Sequence, residues 1–368
     1  MIFLDLNNQY KKIEKEINKA IGKVFKNGVF IGGEEVEQFE KEFAKFCNAK
    51  HAISVNSGTD ALFLSLKALD IKEGDEVITT PFTFIATAET IINCKAKPVF
   101  VDIDLNTFNI DASKIEKAIT KNTKAIMPVH LFGQMADMGE IVKIAKKYNL
   151  YIIEDAAQAV GAKNNNKMAG TMGNLGCFSF FPSKNLGGYG DGGMIVTNNG
   201  KLFEKLRLLR NHGSSPKEKY LNLIIGMNSR LDSLQAAILR VKLKYLLKWN
   251  KERKKRADYY NQSLKKIKKI ILPKIKEENV HVFNQYTIKI KKREDFKKYL
   301  QKIGIPTNFY YPLPLHLQPA LKYLGYKKGD FPVAEEISKE VISLPVYPEL
   351  SKKDQDSVIK EIKRFYGK

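Results

Sequence analysis

The sequence predicts an α/β protein: a large domain with a mainly parallel central sheet covered by helices, followed by a small α+β domain. Between residue 51 and about residue 200, short runs rich in β-branched and aromatic residues alternate with segments whose apolar residues recur at helical spacing. Beyond that stretch the order changes to helix, strand, helix, proline-rich loop and helix. With 368 residues, 43% of them hydrophobic, the chain can bury a core for both parts. The expected division is 1–240 for the large domain with its N-terminal helical segment and 241–368 for a connector helix and the small domain.

Residues 1–50 hold two helical patterns separated by the turn Asn27-Gly28 and the pair Gly32-Gly33, with no strand of their own. The expected strands are His51–Val55, Glu76–Thr79, Pro98–Val101, Ala125–Val129, Tyr151–Glu154, Gly176–Phe181 and Gly193–Val196. Thr59–Ala68, Ala86–Asn93, Ala112–Ile119 and Met138–Tyr148 carry the apolar spacing of helices between them. Leu231–Lys255 is periodic without Gly or Pro, which predicts one long connector helix. In the last third, Gln285–Ile290 reads as a strand, Arg293–Ile303 and Lys352–Tyr366 as helices, and Pro306–Pro319 as a loop.

Composition excludes several classes. No apolar run approaches the roughly 18 residues that cross a bilayer, and MIFLDLNNQYKKIEKEI lacks the basic-then-apolar order of a secretion signal. A cytoplasmic protein is the expectation. Cys47, Cys94 and Cys177 are widely spaced, with no zinc or redox pair among them. The 62 Lys and Arg against 40 Asp and Glu give a net charge of +22, which raises nucleic acid as a partner. The lysines are dispersed, and Lys242 to Lys276, the densest part, reads as an amphipathic helix and a solvated basic segment. Neither zinc-finger spacing nor an RNA-binding aromatic signature accompanies them, so neither nucleic acid nor membrane is an expected partner.

Three segments carry chemistry. In HAISVNSGTDALFLSLKAL, residues 51–69, a strand ends at Asn56-Ser57-Gly58-Thr59 and a helix begins at once. Its free N–H groups and positive dipole end suit a phosphate, and Gly58 leaves room for close approach; taken alone, the segment also reads as an ordinary helix cap. In YIIEDAAQAVGA, Glu154-Asp155 falls at the carboxyl end of a strand, the edge where open parallel sheets bind ligands. Asp155 there suits a cationic ring nitrogen and Gln158 a neighbouring hydroxyl, although Asp155 could equally cap the next helix. In CFSFFPSKNLGGYGDGGMIVT, Lys184 stands between an apolar strand and a loop of five glycines. Such a lysine is a candidate for a depressed pKa or a covalent imine, the alternative being a solvated loop lysine. Together the three supply what pyridoxal 5'-phosphate requires: phosphate donors, a partner for the pyridine nitrogen and a Schiff-base lysine.

The chain resembles the DegT/DnrJ/EryC1/StrS sugar aminotransferases. FLDLNNQY, NSGTDAL, GDEVITTPFTFIATAETI, PVHLFGQMADM, IEDAAQAVGA, FSFFPSKNLGGYGDGG, MNSRLDSLQAAIL and YYPLPLHLQPA carry the resemblance over nearly the whole length. It implies the pyridoxal-phosphate-dependent transferase fold of type I. It also implies that Lys184 binds the cofactor's aldehyde and shuttles the proton, that Asp155 pairs with the pyridine nitrogen, and that Gln158 contacts the ring hydroxyl. Gly58, Thr59 and Ser179 would bind the phosphate, completed by Asn228 from a partner subunit of a homodimer, and Phe84 would lie against the ring. Arg230, Tyr311 and His316 are the implied substrate contacts. The implied reaction passes an amino group from L-glutamate, through pyridoxamine 5'-phosphate, to a nucleotide-diphosphate-linked keto sugar. PFTFIATAETI and PVHLFGQ look most like members acting on a UDP- or dTDP-linked 3-keto sugar. A sugar dehydratase is the alternative within the fold, but the related dehydratases carry histidine in place of the lysine. A basic nucleic-acid-binding regulator on a degenerate enzyme fold is the alternative outside it. No metal ligand set is expected, and His130, at a strand end, reads as structural as readily as functional.

Overall fold

The computed structural model describes residues 1–218 and 220–367. Two helices open the chain, α1 (Leu6–Asn27) and α2 (Gly33–Cys47). Asp5 starts α1 by accepting from the Asn8 N–H, and Gly28, at φ 67°, ends it in the left-handed turn that favours glycine. Then follow β1 (His51–Val55), α3 (Gly58–Ala68), β2 (Glu76–Thr79), α4 (Ala86–Asn93) and β3 (Lys97–Phe100). β4 (Thr123–Ile126), α5 (Met138–Tyr148) and β5 (Tyr151–Asp155) continue the alternation. A short hairpin, β6 (Lys163–Asn164) and β7 (Lys167–Met168), precedes β8 (Leu175–Ser179), β9 (Gly193–Thr197) and α6 (Gly200–Arg210).

Seven strands form one sheet in the order β1-β9-β8-β5-β4-β2-β3. From β8 to β3 every pairing is parallel, and β9 alone runs against both neighbours. Helices cover both faces, so β8 and β9 are buried at every residue, as parallel-sheet strands are when neither face meets water. On one face Phe39 and Phe43 of α2 meet Phe180 and Phe178 edge to face, with ring centroids 5.4 and 5.1 Å apart. On the other, Leu62 and Leu64 of α3 pack with Ile53, Cys177 and Ile195. All three cysteines are unpaired and buried.

Three expectations are corrected. Ala112–Ile119 is not a helix but two successive 3₁₀ turns: Asp111 takes the Ser113 N–H and hydroxyl, and Ile119 leaves in extended conformation. Leu231–Lys255 is two helices, α7 (Ser233–Leu243) and α8 (Leu246–Leu264). The break comes from tertiary contacts that no local signal announces. Tyr245 stacks on Trp249 at 5.7 Å, and its hydroxyl bonds Glu16 of α1. Nor is the basic stretch from Lys242 solvated throughout, because Lys242 and Arg253 are both buried.

The C-terminal part contains β10 (Ile270–Ile271), β11 (Asn279–Val280), β12 (Tyr286–Ile290), α9 (Arg293–Lys302), α10 (Pro332–Glu340), β13 (Val341–Leu344) and α11 (Lys352–Phe365). β10, β12 and β13 form an antiparallel sheet. Tyr260, Tyr286, Phe296, Val358 and Ile362 fill the core between that sheet and α8, α9 and α11. α10 and β13 were not expected from the sequence. The proline-rich loop and α10 lean back on the large sheet, where Leu315, Phe331 and Ile337 pack with Phe82, Phe100 and Val129. Among the described residues, no helix is long and apolar enough to cross a membrane.

Candidate active site

The carboxyl ends of the parallel strands meet at one edge of the large sheet. β1 runs out into Ser57 and α3, β5 ends at Asp155, and β8 ends at Ser179. They border a cavity of ≈ 400 Å³ lined by Ser57, Gly58, Thr59, Thr87, Asp155 and Lys184, among others. Its position is the one that parallel-sheet topology favours for a ligand.

The first wall is the start of α3. Ser57 caps it, its hydroxyl accepting from the Asp60 N–H at 3.0 Å, and the N–H groups of Gly58 and Thr59 fall in the unpaired first turn. Gly58 passes so close to β8 that a Cβ there would stand 2.7 Å from Ser179 Cβ. Gly193, beginning β9, is equally confined: its Cβ would meet the Ser57 carbonyl oxygen at 2.3 Å. Two glycines therefore let three backbone segments converge on one concavity.

Asp155 and Lys184 face the same space. The Asp155 carboxylate accepts from the Thr87 hydroxyl at 2.8 Å and from the Ala157 N–H at 3.2 Å. Burial pushes its pKa up, and those two donors together with the Lys184 charge oppose the rise. Burial lowers the Lys184 amine to about 8, with Asp155 pulling the other way. The lysine is thus partly neutral near neutral pH while a carboxylate waits across the cavity. Thr87 was missed by sequence reasoning. Its only sequence signal is a hydroxyl one helical turn beyond Thr83, whose Oγ1 lies 3.2 Å from its own.

Gln158 Oε1 accepts from the Phe132 N–H at 2.6 Å, and its Nε2 donates to the Tyr311 hydroxyl at 3.1 Å. This joins the proline-rich loop to the sheet edge. Phe84 is exposed, its ring 6.3 Å from that of Tyr311, and both line the cavity. Ser183, Asp191, Gln285 and Tyr310, not singled out from sequence, line it too.

Three expected site residues lie outside this cavity, and two of them, Asn228 and Arg230, are expected at the site of a partner subunit. His316 is buried, 3.1 Å from a Glu335 oxygen and edge-on to Phe331, so the structure does not bring it to the cavity. Asn228 bridges to Asn211 through the backbone, and Arg230, which donates to the Asn211 side chain, lines a separate hollow with Asn211, Ile31 and Arg210. His130 has a structural place. Its Nδ1 accepts from the Ala136 N–H, which puts the ring proton on Nε2, 2.8 Å from Glu154. Glu154 also accepts from the N–H groups of Gly170, Met172 and Gly173. Among the described residues no group of His, Cys, Asp and Glu could hold a metal.

The cavity fits pyridoxal phosphate. The glycine-lined cradle at α3 offers backbone N–H groups with the hydroxyls of Thr59 and Ser179 for a dianion. Asp155 suits a protonated ring nitrogen, and the partly neutral Lys184 suits an aldehyde.

Comparison with known proteins agrees. The chain is 50% identical to a pleiotropic regulatory protein of Geobacillus stearothermophilus, over 99% of this chain and 98% of that one. It is 47% identical to the dTDP-3-amino-3,6-dideoxy-alpha-D-galactopyranose transaminase of Aneurinibacillus thermoaerophilus, over 99% of each. The crystal structure of DesV from S. venezuelae in complex with a ketimine intermediate superposes with a TM-score of 0.97 at 40% identity, covering 100% of this chain and 98% of that one. The sequence profile of the family matches residues 11–363, and the chain belongs to the DegT/DnrJ/EryC1/StrS aminotransferase family.

Proposed function

We propose that this protein transfers an amino group from L-glutamate to the keto carbon of a nucleotide-diphosphate-linked sugar, with pyridoxal phosphate held in the cavity at the sheet edge. The observation that carries the reading is the pairing of a buried carboxylate, Asp155, with an amine lowered to about 8, Lys184, beside a glycine-lined anion cradle. Bound there, pyridoxal phosphate supplies an aldehyde that takes the nitrogen and a ring that accepts the electrons freed when a neighbouring carbon loses its proton.

The chain's own residues do the rest. Gly58, Thr59 and Ser179 fix the phosphate end, which sets the ring's distance from the lysine. Asp155, whose charged form the Thr87 hydroxyl favours against the effect of burial, holds a proton on the ring nitrogen. Lys184 Nζ, neutral for part of the time at physiological pH, removes a proton from carbon and returns it. Gln158 and Tyr311 brace one side of the cavity, and Phe84 covers an apolar face. A 3-keto sugar on UDP or dTDP is the substrate class we favour; the dTDP-linked 3-amino sugar in the name of the Aneurinibacillus relative is what amination of a 3-keto sugar would yield, and supports position 3.

A homodimer completes the site in this reading. Phe25, Phe30, Ile31, Leu223 and Ile225 are large apolar side chains left exposed. Ile31 shares its hollow with Arg230. An apolar surface of this kind calls for a partner, and a second copy would bring Asn228 and Arg230 to the neighbouring cavity. The protein works in the cytoplasm, where nucleotide sugars are its substrates.

The test is to load the protein with pyridoxamine phosphate and offer a panel of UDP- and dTDP-linked 3- and 4-keto sugars, following the absorbance of the restored aldehyde form. Restoration by one nucleotide sugar, with an amino sugar as product, is expected; no restoration with any member would overturn the reading. The name of the Geobacillus relative raises a regulatory role. Salt-sensitive DNA binding by protein that takes up no cofactor would favour it instead.

A further inference from the structure

Beside Lys184 lies a cluster of buried amides that the chemistry above does not use. Asn185 Nδ2 donates to Asn250 Oδ1 at 2.7 Å and to the Val282 carbonyl at 2.9 Å. Asn284 Nδ2 donates to Asn185 Oδ1 at 2.9 Å, and Asn250 Nδ2 donates to the Val160 carbonyl at 3.0 Å. All three asparagines are buried. One turn further along α8, Arg253 is also buried and donates to the carbonyls of Phe283, Asn284 and Val346.

The cluster is a costly way to fill space. Asn284 Oδ1 and Arg253 Nε are buried without partners, and an incompletely satisfied polar network is less favourable than apolar packing of the same volume. What it provides is relative placement. Asn185 is the neighbour of Lys184. Val160 follows the segment that carries Asp155 and Gln158, and Asn250 sits so close to that segment that a Cβ on Gly161 would stand 2.7 Å from its Nδ2. Asn284 precedes Gln285, which lines the cavity. Two segments that build the cavity are thus tied directly to one side chain on α8, and the third is joined to it through Asn185; α8 is the helix whose later turns enter the core of the C-terminal sheet.

We propose that Asn250, bonded to Asn185 and through it to Asn284, is a positioning residue that holds the lysine turn in register with the Asp155 segment and the Gln285 loop. Displacement of the small sheet against the large one is then felt at Lys184 through hydrogen bonds. This rests on the reading of Lys184 given above. Misplacement of reacting groups by about an ångström costs on the order of 100-fold in rate, so the effect is measurable without any loss of folding.

The experiment uses full-length Asn250→Leu, Asn284→Ala and, as a control for stability alone, Ile362→Val in the core of the C-terminal sheet. Two quantities are read: kcat and KM for glutamate in the reloaded enzyme, and the pH midpoint for capture of pyridoxal phosphate by cofactor-stripped protein, trapped with borohydride. Asn250→Leu should lower kcat on the order of 10- to 100-fold with KM within about twofold. It should also move the capture midpoint up from about 8, because a loosened turn admits water to Lys184. Asn284→Ala should do the same to a smaller extent, and it carries the test alone if Asn250→Leu does not fold. Ile362→Val should leave both readouts in place. Unchanged kcat and midpoint in the folded asparagine variants would overturn the proposal. Failure of the wild-type protein to capture the aldehyde at all would overturn the reading of Lys184 instead.

Discussion

Among the described residues, two lysines are lowered to about 8 by burial, and of these Lys184 alone lines a cavity. Lys184 follows the strand that ends at Ser179 and looks across to Asp155. Lys242, on α7, lies with its Nζ 4.7 Å from the centroid of the Tyr189 ring and 5.9 Å from that of Trp249, and is 1% exposed. Each has a carboxylate that partly opposes the effect of burial, Asp155 for the first and Glu349 for the second. A depressed amine pKa is therefore not what makes a lysine reactive here. Space for an aldehyde, an anion cradle within reach of the same molecule and a carboxylate at its far end distinguish Lys184, while aromatic rings seal Lys242 away.

That contrast can be broken most directly by deleting each amine. Lys184→Ala should lower transamination by about four orders of magnitude or more, whereas Lys242→Met should keep turnover within about threefold. Comparable losses in steady-state assays of the two variants would mean that burial alone governs reactivity. Next in size is the carboxylate that only Lys184 faces across a cavity. Asp155→Asn should cost two to three orders of magnitude in kcat at constant cofactor content, since an amide cannot hold the proton on a ring nitrogen. Thr87→Val, which removes one bond to that carboxylate, should cost about 10-fold, and Thr87→Ser should recover most of it. Both are read from kcat of the fully loaded enzyme.

The smallest effect concerns Lys242 and appears in stability. Its pKa is lower in the folded protein than in the unfolded chain, so between about pH 8 and 10.5 the unfolded chain binds more protons and stability rises with pH. Below pH 8 the protein forgoes roughly 3 kcal/mol on this account. Lys242→Met removes that penalty but also the contact of the ammonium with two rings, worth about 1 to 2 kcal/mol. The variant should therefore unfold at a higher urea concentration at pH 7, by the equivalent of about 1 to 2 kcal/mol, with the advantage gone near pH 10.5. A midpoint below that of the wild type at pH 7 would show that the aromatic contacts outweigh burial.

Much of this was legible in the sequence because it rests on local patterns. β1, β2, α4 and α5 lie where alternation and helical spacing put them, and the edge that gathers Gly58, Asp155, Ser179 and Lys184 follows from where the strands stop. What stayed hidden depends on distant partners. Nothing near Thr87 says that its hydroxyl meets Asp155, and nothing near Lys242 says that Tyr189 and Trp249 close over it. The break between α7 and α8 has neither glycine nor proline to mark it. β6, β7 and β11 are each two residues long, too short for any alternation to register. His316 sits in a motif whose resemblance suggested a substrate contact, yet Glu335 and Phe331, which the sequence places well downstream, enclose it.

The central claim, that cavity and cradle rather than burial select the reactive amine, is tested most directly by borohydride reduction of the protein carrying pyridoxal phosphate at pH 8, followed by peptide mapping. A single phosphopyridoxyl group on the peptide containing Lys184 is the predicted result. Label on the peptide containing Lys242, on several lysines equally, or on none would contradict it.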